Sequence, residues 1–376
     1  MKFIVSTKPT KSALDLAIIN SNVSKFYSKS CLAEVSANAN TLTINLEAAS
    51  IVSEVKLKGS GDTDEASTVF VDSLVLKQLI ASFDSPTIIF EFTESGLVLH
   101  TGKSKFTLPK MTDDSDMALA RPLKALELSN CVNVDVDSSA WKFVKDHQMF
   151  AIAMSFVHPV YTNVWVSDGD DVVVGDFDNS IFTHSHKSNL GCCCLLSDTI
   201  VNLLMSLPEG SKIVRDPESR SYIINGSTDS FDYIAQFTPK YESDPGVGSY
   251  NADMVLSMMP DSSDQAVTLD SDKISKLLNQ ASLLSTSSED TITLSVRDKQ
   301  AWLHDNNVNG SVDIKPSCDW DKIKEYSVEF RTALLKSAMS NYSGDISIYP
   351  CMADDDIVGG VVMKDKDVTT LLAGVE

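Results

Sequence analysis

A short phrase recurs three times along the chain, as Leu79-Ile80-Ala81-Ser82-Phe83, Leu203-Leu204-Met205-Ser206-Leu207 and Leu334-Leu335-Lys336-Ser337-Ala338. The intervals, 124 residues from Leu79 to Leu203 and 131 from Leu203 to Leu334, are close to one third of 376 and within the size of one domain. The repeat predicts three domains in tandem, 1–125, 126–245 and 246–376, with the Pro-Gly stretch at Gly246 and Gly248 at the last boundary.

Each copy sits in the same context. Apolar residues before it recur at helical spacing, as in Leu74, Leu76, Leu79 and Ile80, and a cap precedes it at Asp72, Ser197 or Ser327. A turn follows, then a strand: Thr87 to Phe92, Ser211 to Val214, Asp345 to Tyr349. A second helix pattern opens each third, at Lys11 to Ile19, Ser138 to Ala153 and Ser271 to Leu284, with strands after it at Leu42 to Leu46, Val164 to Ser167 and Ile292 to Val296. The expected class is therefore α+β, two helices packed on antiparallel sheets in each third.

With 43% hydrophobic residues each third has enough apolar material for a core. No apolar run reaches the length needed to cross a bilayer, and Met1 to Val5 reads as a first strand, so a cytoplasmic protein is expected. Seven cysteines include the run Cys192-Cys193-Cys194. With His184 and His186 it has a zinc reading, but no C-x-x-C pair accompanies it and Leu195 and Leu196 follow, which favours reduced thiols in a strand. No metal and no cofactor are expected.

The formal net charge is −21. That total argues against wrapping nucleic acid in positive charge, but the distribution qualifies it. Basic residues sit on the helix patterns, as Lys8, Lys11, Lys77, Lys142, Lys145, Lys273, Lys276, Arg331 and Lys336. The acids crowd into turns, as in Asp62 to Glu65, Asp113 to Asp116, Asp168 to Asp171 and Asp354 to Asp356. One reading is that lysine, a good helix former, decorates solvated faces; the other is that these faces meet DNA. The aspartate clusters have a Mg²⁺ reading, but they fall where hairpin turns are expected, and no phosphate-binding loop or recognisable triad spacing appears. No catalytic activity is expected.

Several islands resemble the bacterial sliding clamps, the β subunit of DNA polymerase III, and related phage clamps. They are Met1-Lys2-Phe3, Leu42 to Glu47 followed by Ile51, Lys77-Gln78-Leu79, Leu97 to Pro109, Phe237-Thr238-Pro239-Lys240-Tyr241, and Gly360-Val361-Val362-Met363 near the end. The resemblance implies a closed ring of two chains, head to tail, around duplex DNA. Polymerase and clamp loader would bind it through short linear peptides. The nine basic residues above would then face DNA. The subunit contact would use Ile80, Phe106, Leu108, Leu283 and Leu284, with a core reading for Ile80 and an edge reading for the Phe106 strand, flanked by Lys103 and Lys105. The peptide pocket would involve Gly175, Asp176, Ile181, Pro239, Tyr241, Val361 and Met363. Gly175 to Ile181 departs from the usual T-D-G-H-R-L, and Lys364 to Glu376 is a longer tail than the pattern has, free to cover or extend the pocket. The alternative is a clamp-like scaffold that does not encircle DNA.

Overall fold

The structure, a computed structural model, describes residues 1–18, 32–48, 51–111, 131–134, 163–166, 171–176, 181–187, 189–191, 194–241, 244, 264–284, 287, 290–305, 308–315, 320–353, 356–366 and 368–375. The expected helix at Ser138 to Ala153, with Lys142 and Lys145, lies outside them. So do Cys192, Cys193 and the acidic run at Asp113. The chain forms two compact units, the first of Met1–Trp141, Asn189–Gly191 and Leu196–Lys240, the second of Lys142–Ser188, Cys192–Leu195 and Tyr241–Glu376.

In the first unit one sheet runs β5 (Ser60–Gly61), β1 (Lys2–Ser6), β7 (Thr87–Thr93), β8 (Gly96–Thr101), β9 (Ser104–Pro109). A second sheet runs β10 (Val132–Val134), β15 (Lys212–Arg215), β16 (Tyr222–Ser227), β17 (Phe231–Phe237), β4 (Ile51–Lys58), β3 (Thr41–Ala48), β2 (Leu32–Ala37), β6 (Ser67–Asp72). With them go α1 (Thr7–Ala17), α2 (Ser73–Ala81) and α3 (Asp198–Ser206).

Among the strands of the second unit one sheet runs β14 (Cys194–Ser197), β11 (Asn163–Val166), β12 (Asp171–Asp176), β13 (Ile181–Lys187), β25 (Thr369–Ala373), β24 (Asp356–Lys364), β23 (Asp345–Ala353), β18 (Val267–Asp270). The other runs β21 (Asn309–Asp313), β20 (Gln300–His304), β19 (Thr291–Arg297), β22 (Tyr326–Arg331), with α4 (Ser271–Leu284) and α5 (Thr332–Met339).

One strand order is therefore written three times. The series β1-β7-β8-β9 recurs as β10-β15-β16-β17 and as β18-β23-β24-β25, and β4-β3-β2-β6 recurs as β13-β12-β11-β14 and as β21-β20-β19-β22. Within each unit an outer strand of one series joins the other: β17 pairs β4 from Phe231↔Leu57 to Phe237↔Ile51, and β25 pairs β13 from Thr369↔His184 to Leu372↔Ile181. Among the described residues the remaining two such strands, β9 and β21, end their sheets.

The local chemistry explains these elements. On β3, Leu42, Ile44 and Leu46 are fully buried while Thr41, Thr43 and Asn45 between them are half-buried, the alternation of a sheet with one face on a core. The repeated phrase starts inside α2, α3 and α5, and each of these helices follows a strand and precedes one. Asp72 and Ser197 cap two of them: the Asp72 carboxylate accepts from the Leu74 and Val75 amides at 2.9 and 3.0 Å, and the Ser197 hydroxyl accepts from the Ile200 amide. The third cap is a correction. Ser327 lies inside β22, and Arg331 stands at the cap of α5 with no side-chain hydrogen bond to its amides. The strand runs four residues further than its polar Ser327 suggested, because Val328 and Phe330 continue the buried alternation. Likewise α1 begins at Thr7, ahead of the expected Lys11, since Pro9 falls in the first turn, where its missing N–H costs nothing. Asp72→Ala leaves two amides unsatisfied, and thermal unfolding should register a loss of about 1 kcal/mol.

Candidate functional site

The two sheet-ending strands differ from their internal counterparts in one respect. Leu99, Ile224 and Met363 are fully buried at matching places on β8, β16 and β24, and they face Phe106, Ala235 and Thr370. Ala235 and Thr370 are 1% and 0% exposed, but Phe106 is 36% exposed. Strands β17 and β25 have a neighbour on their far side, and β9 ends its sheet. The Phe106 ring stacks on Phe83 just past α2, with centroids 5.3 Å apart. Leu108, two residues on, is buried at 2%, and Ile80 is fully enclosed on α2, so both belong to the core of the chain.

On the other sheet-ending strand, Gly310 of β21 is where a helix comes close. A Cβ there would meet the Leu277 side chain at 2.7 Å, so α4 packs directly over the edge strand. Leu284 lies two turns beyond Leu277 on the same stripe and is 53% exposed. Leu283, 84% exposed, shares its side of α4 with Lys276.

The basic residues fall into two groups. Lys8, Lys273 and Lys276 are exposed and Lys11 is half-exposed, on the outward sides of α1 and α4. Lys273 lies 4.0 Å from the Asp270 carboxylate, while Lys77 and Lys336 are engaged between helices. The Lys77 ammonium donates to the Ile18 carbonyl just past the end of α1 at 2.6 Å and pairs with Asp15 at 3.1 Å, while Lys336 donates to the Ser282 hydroxyl of α4 at 2.8 Å. In both cases the second helix of a pair ties itself to the end of the first, where a cation also complements the helix dipole. Arg331 is half-buried at the start of α5.

Strand register brings most of the expected pocket positions into one sheet. One row reads Asp176, Ile181, Leu372, Val361, Pro350 across β12, β13, β25, β24 and β23, and Met363 pairs with Thr370 two rows along. Gly175 pairs with Phe182 beside that row. Pro239 and Tyr241, both buried, follow β17. The tail is not an appendage. Thr369 to Ala373 form β25, inserted between β13 and β24, so Leu371 and Leu372 stand among the expected pocket positions without having been expected there. Val368, Thr370 and Leu372 are buried, and the β24–β25 hairpin repeats the design of β8–β9. The Tyr342 hydroxyl is hydrogen-bonded to the Met363 carbonyl at 2.9 Å and to the Thr370 hydroxyl at 2.8 Å, and burial pushes its pKa well up. This holds β24 and β25 in place from the helix side.

Among the described residues no group of three His, Cys, Asp or Glu side chains is placed to hold a metal, and Cys194 is buried on β14. No described helix is long and apolar enough to cross a membrane.

No family model and no curated protein matches the chain in sequence. Solved structures do match, over its whole length. The Thermotoga maritima DNA polymerase III β subunit aligns with a TM-score of 0.73 at 12% identity, covering 100% of this chain and 99% of that one. The chain has the sliding-clamp fold. A Caulobacter crescentus DNA polymerase sliding clamp gives a TM-score of 0.72 at 15% identity, and a Helicobacter pylori β clamp bound to a DNA ligase peptide gives 0.71 at 14%, each with both chains covered in full. The clamp fold is thus retained with about one residue in seven shared, which accounts for islands of likeness rather than a continuous match.

Proposed function

We propose that this chain is a sliding clamp: two copies close head to tail into a ring around duplex DNA, and the ring tethers a replicative polymerase and its loader through short peptides. The chain is read as three modules, 1–125, 126–245 and 246–376. The observation that carries the reading is the strand rule. In each unit the last strand of one series pairs with the first strand of the other, and this leaves one strand of each kind, β9 and β21, at a sheet end. A second copy supplies the missing neighbour for both. Such a heterologous contact has to close on itself, and two copies of three modules satisfy that.

The register of the contact follows by analogy. Val69 and Val328 stand three residues before the cap positions Asp72 and Arg331, and tracing the pairs from them (Val69↔Val35↔Ile44↔Val55; Val328↔Leu294↔Leu303↔Gly310) makes Val55 and Gly310 equivalent. Val55 pairs with Tyr233, two residues before Ala235. Gly310 of one copy therefore takes Ser104 of the other, which sets Phe106 opposite Val308, Lys105 opposite Asn309 and Lys103 opposite Ser311. In the first unit α1 touches both β4 and β17, so α4 would likewise reach over β9 of the partner, carrying Leu284 to the seam.

Light scattering tests closure: a mass of twice 40.9 kDa is expected, and a monomer at every concentration removes the ring. Lys105→Cys with Asn309→Cys should then form a covalent dimer on oxidation. If only a pairing shifted by two or more residues cross-links, the register is wrong.

The DNA-facing set in this reading centres on Lys8, Lys11, Lys273 and Lys276, with Lys142 and Lys145 on the third helix pattern and Arg331, Lys77 and Lys336 in supporting places. A linked ring needs few tight phosphate contacts, which suits a chain of net charge −21. Neutralising the first four should flatten the salt dependence of DNA binding, its slope falling by up to about 0.9 for each phosphate that a lysine no longer neutralises. Lys77→Met should leave that slope alone and lower stability by about 1–2 kcal/mol, since it removes a charged hydrogen bond from the end of α1. For partner peptides the proposed surface is the row Asp176, Ile181, Leu372 and Val361 with Gly175, Met363, Pro239 and Tyr241.

A further inference from the structure

One short spacing recurs among the basic residues. Lys8-Pro9-Thr10-Lys11, Lys142-Phe143-Val144-Lys145 and Lys273-Ile274-Ser275-Lys276 are lysine pairs three apart, 134 and then 131 residues from one copy to the next. Each lies early in the first helix pattern of its module. Lys142 and Lys145 fall outside the described residues, and the other two pairs occupy the first two turns of α1 and α4. Beyond them the exposed stripe changes character. On α1 it continues to Ser12 and Asp15, and on α4 to Asn279, Gln280 and Leu283. On α2 and α5 the exposed positions are Val75, Gln78, Ala81 and Ala333, all uncharged, and Lys77 and Lys336 are tied down. Exposed positive charge on these four helices is therefore confined to the first halves of α1 and α4. The positive end of the helix dipole is an unfavourable place for a cation, so helix stability does not account for lysines kept there. Lys273 has relief from Asp270, 4.0 Å away, while Lys8, Lys11 and Lys276 have no carboxylate within 4 Å among the described residues.

We propose that the lysine pairs form one collar of positive charge at a single height in the channel, and that duplex DNA is held at that height alone. This rests on the ring reading above. The two junctions within a copy, β17–β4 and β25–β13, join equivalent strands, so one rotation relates neighbouring modules. A rotation about the channel brings equivalent residues to the same height. Six pairs, three from each copy, then meet the phosphates in one plane, and the uncharged or acidic halves of the same helices lie to one side of it. A rod gripped at two heights has its angle fixed, whereas a rod gripped at one can pivot. A partner seated on the peptide row can thus set the angle of the duplex without breaking its contact with the ring, and the small number of phosphates engaged keeps sliding easy.

Protection from chemical modification tests this on the full chain, with a short linear duplex whose open ends a closed ring can thread. Acylation of Lys8, Lys11, Lys273 and Lys276, read residue by residue by mass spectrometry, should slow at least about fivefold when the duplex is present, because an amine neutralised by phosphate for most of the time reacts little. Two reporters stand away from the collar. Lys25 and Lys29, in the stretch that follows α1 in the chain, should react at the same rate with and without duplex. So should the thiol of Gln280→Cys, at an exposed position one turn past Lys276, towards a neutral alkylating agent. Equal slowing at Lys25 and Lys29 or at Gln280→Cys would show a grip along the whole channel and overturn the collar while the ring stands. A dimer in which none of the four collar lysines is slowed overturns it too. A chain that is monomeric with and without duplex overturns the ring reading, and the collar with it.

Discussion

Phe106→Asp combined with Leu284→Asp should yield folded monomers of 40.9 kDa at concentrations where the unaltered chain is a dimer. Each side chain is partly exposed in the single chain and is proposed to become buried at the seam. Losing about 2 kcal/mol of apolar burial for each, with two side chains at each of two seams, removes about 8 kcal/mol, or about five to six decades in Kd. The pairing of positions matters. Leu108 looks like the natural companion of Phe106 in sequence, yet it is 2% exposed, and Leu108→Asp would bury a carboxylate in the core at a cost of about 4 kcal/mol. That variant should therefore unfold early instead of reporting on assembly. Light scattering with thermal melts separates the two outcomes, and an unchanged dimer from the Phe106, Leu284 pair would show that the seam lies elsewhere.

The second large effect is topological. Protein loaded on a nicked circle should survive a wash at about 1 M salt, where screening leaves charge effective over only about 3 Å. It should leave once the circle is cut. A protein held by phosphate contacts alone loses about three to five decades of affinity between 50 and 200 mM salt and has no means of sensing the cut. A scaffold that never encircles DNA would show equal retention on both forms, and that result would favour the alternative.

Much of the fold was legible because it is repetitive. The phrase at Leu79, Leu203 and Leu334 marked three helices, and Ser271 to Leu284 was delimited correctly by its apolar spacing. Boundaries failed where a local signal had two meanings. Ser327 is a good cap residue, but it occupies an exposed position of β22, and helix caps are read from side chains that strands also use. The edge character of the Phe106 strand was readable from Lys103 and Lys105. Whether Leu108 or Ile80 faces outward was not, since an apolar residue next to an edge has the same appearance whether it packs inward or waits for a partner. Lys77 was illegible for a different reason: a lysine on a helix gives no sign that its ammonium will be used on the Ile18 carbonyl of another helix. The place of the tail inside the sheet was not legible, because its likeness to the β8–β9 hairpin lies in strand order and burial, with hardly a residue in common.

The strand additions at β4–β17 and β13–β25 have a kinetic consequence. In the proposed ring every junction is of one type, but two in each copy join parts of one polypeptide, and only the two seams join separate chains. A tethered junction that comes apart faces an effective partner concentration in the millimolar range and recloses at once. A seam faces only the free concentration of the protein. Opening is thereby directed to the seams by the lack of a tether there, and dilution, rather than a change of shape, is the simplest way to unlock the ring.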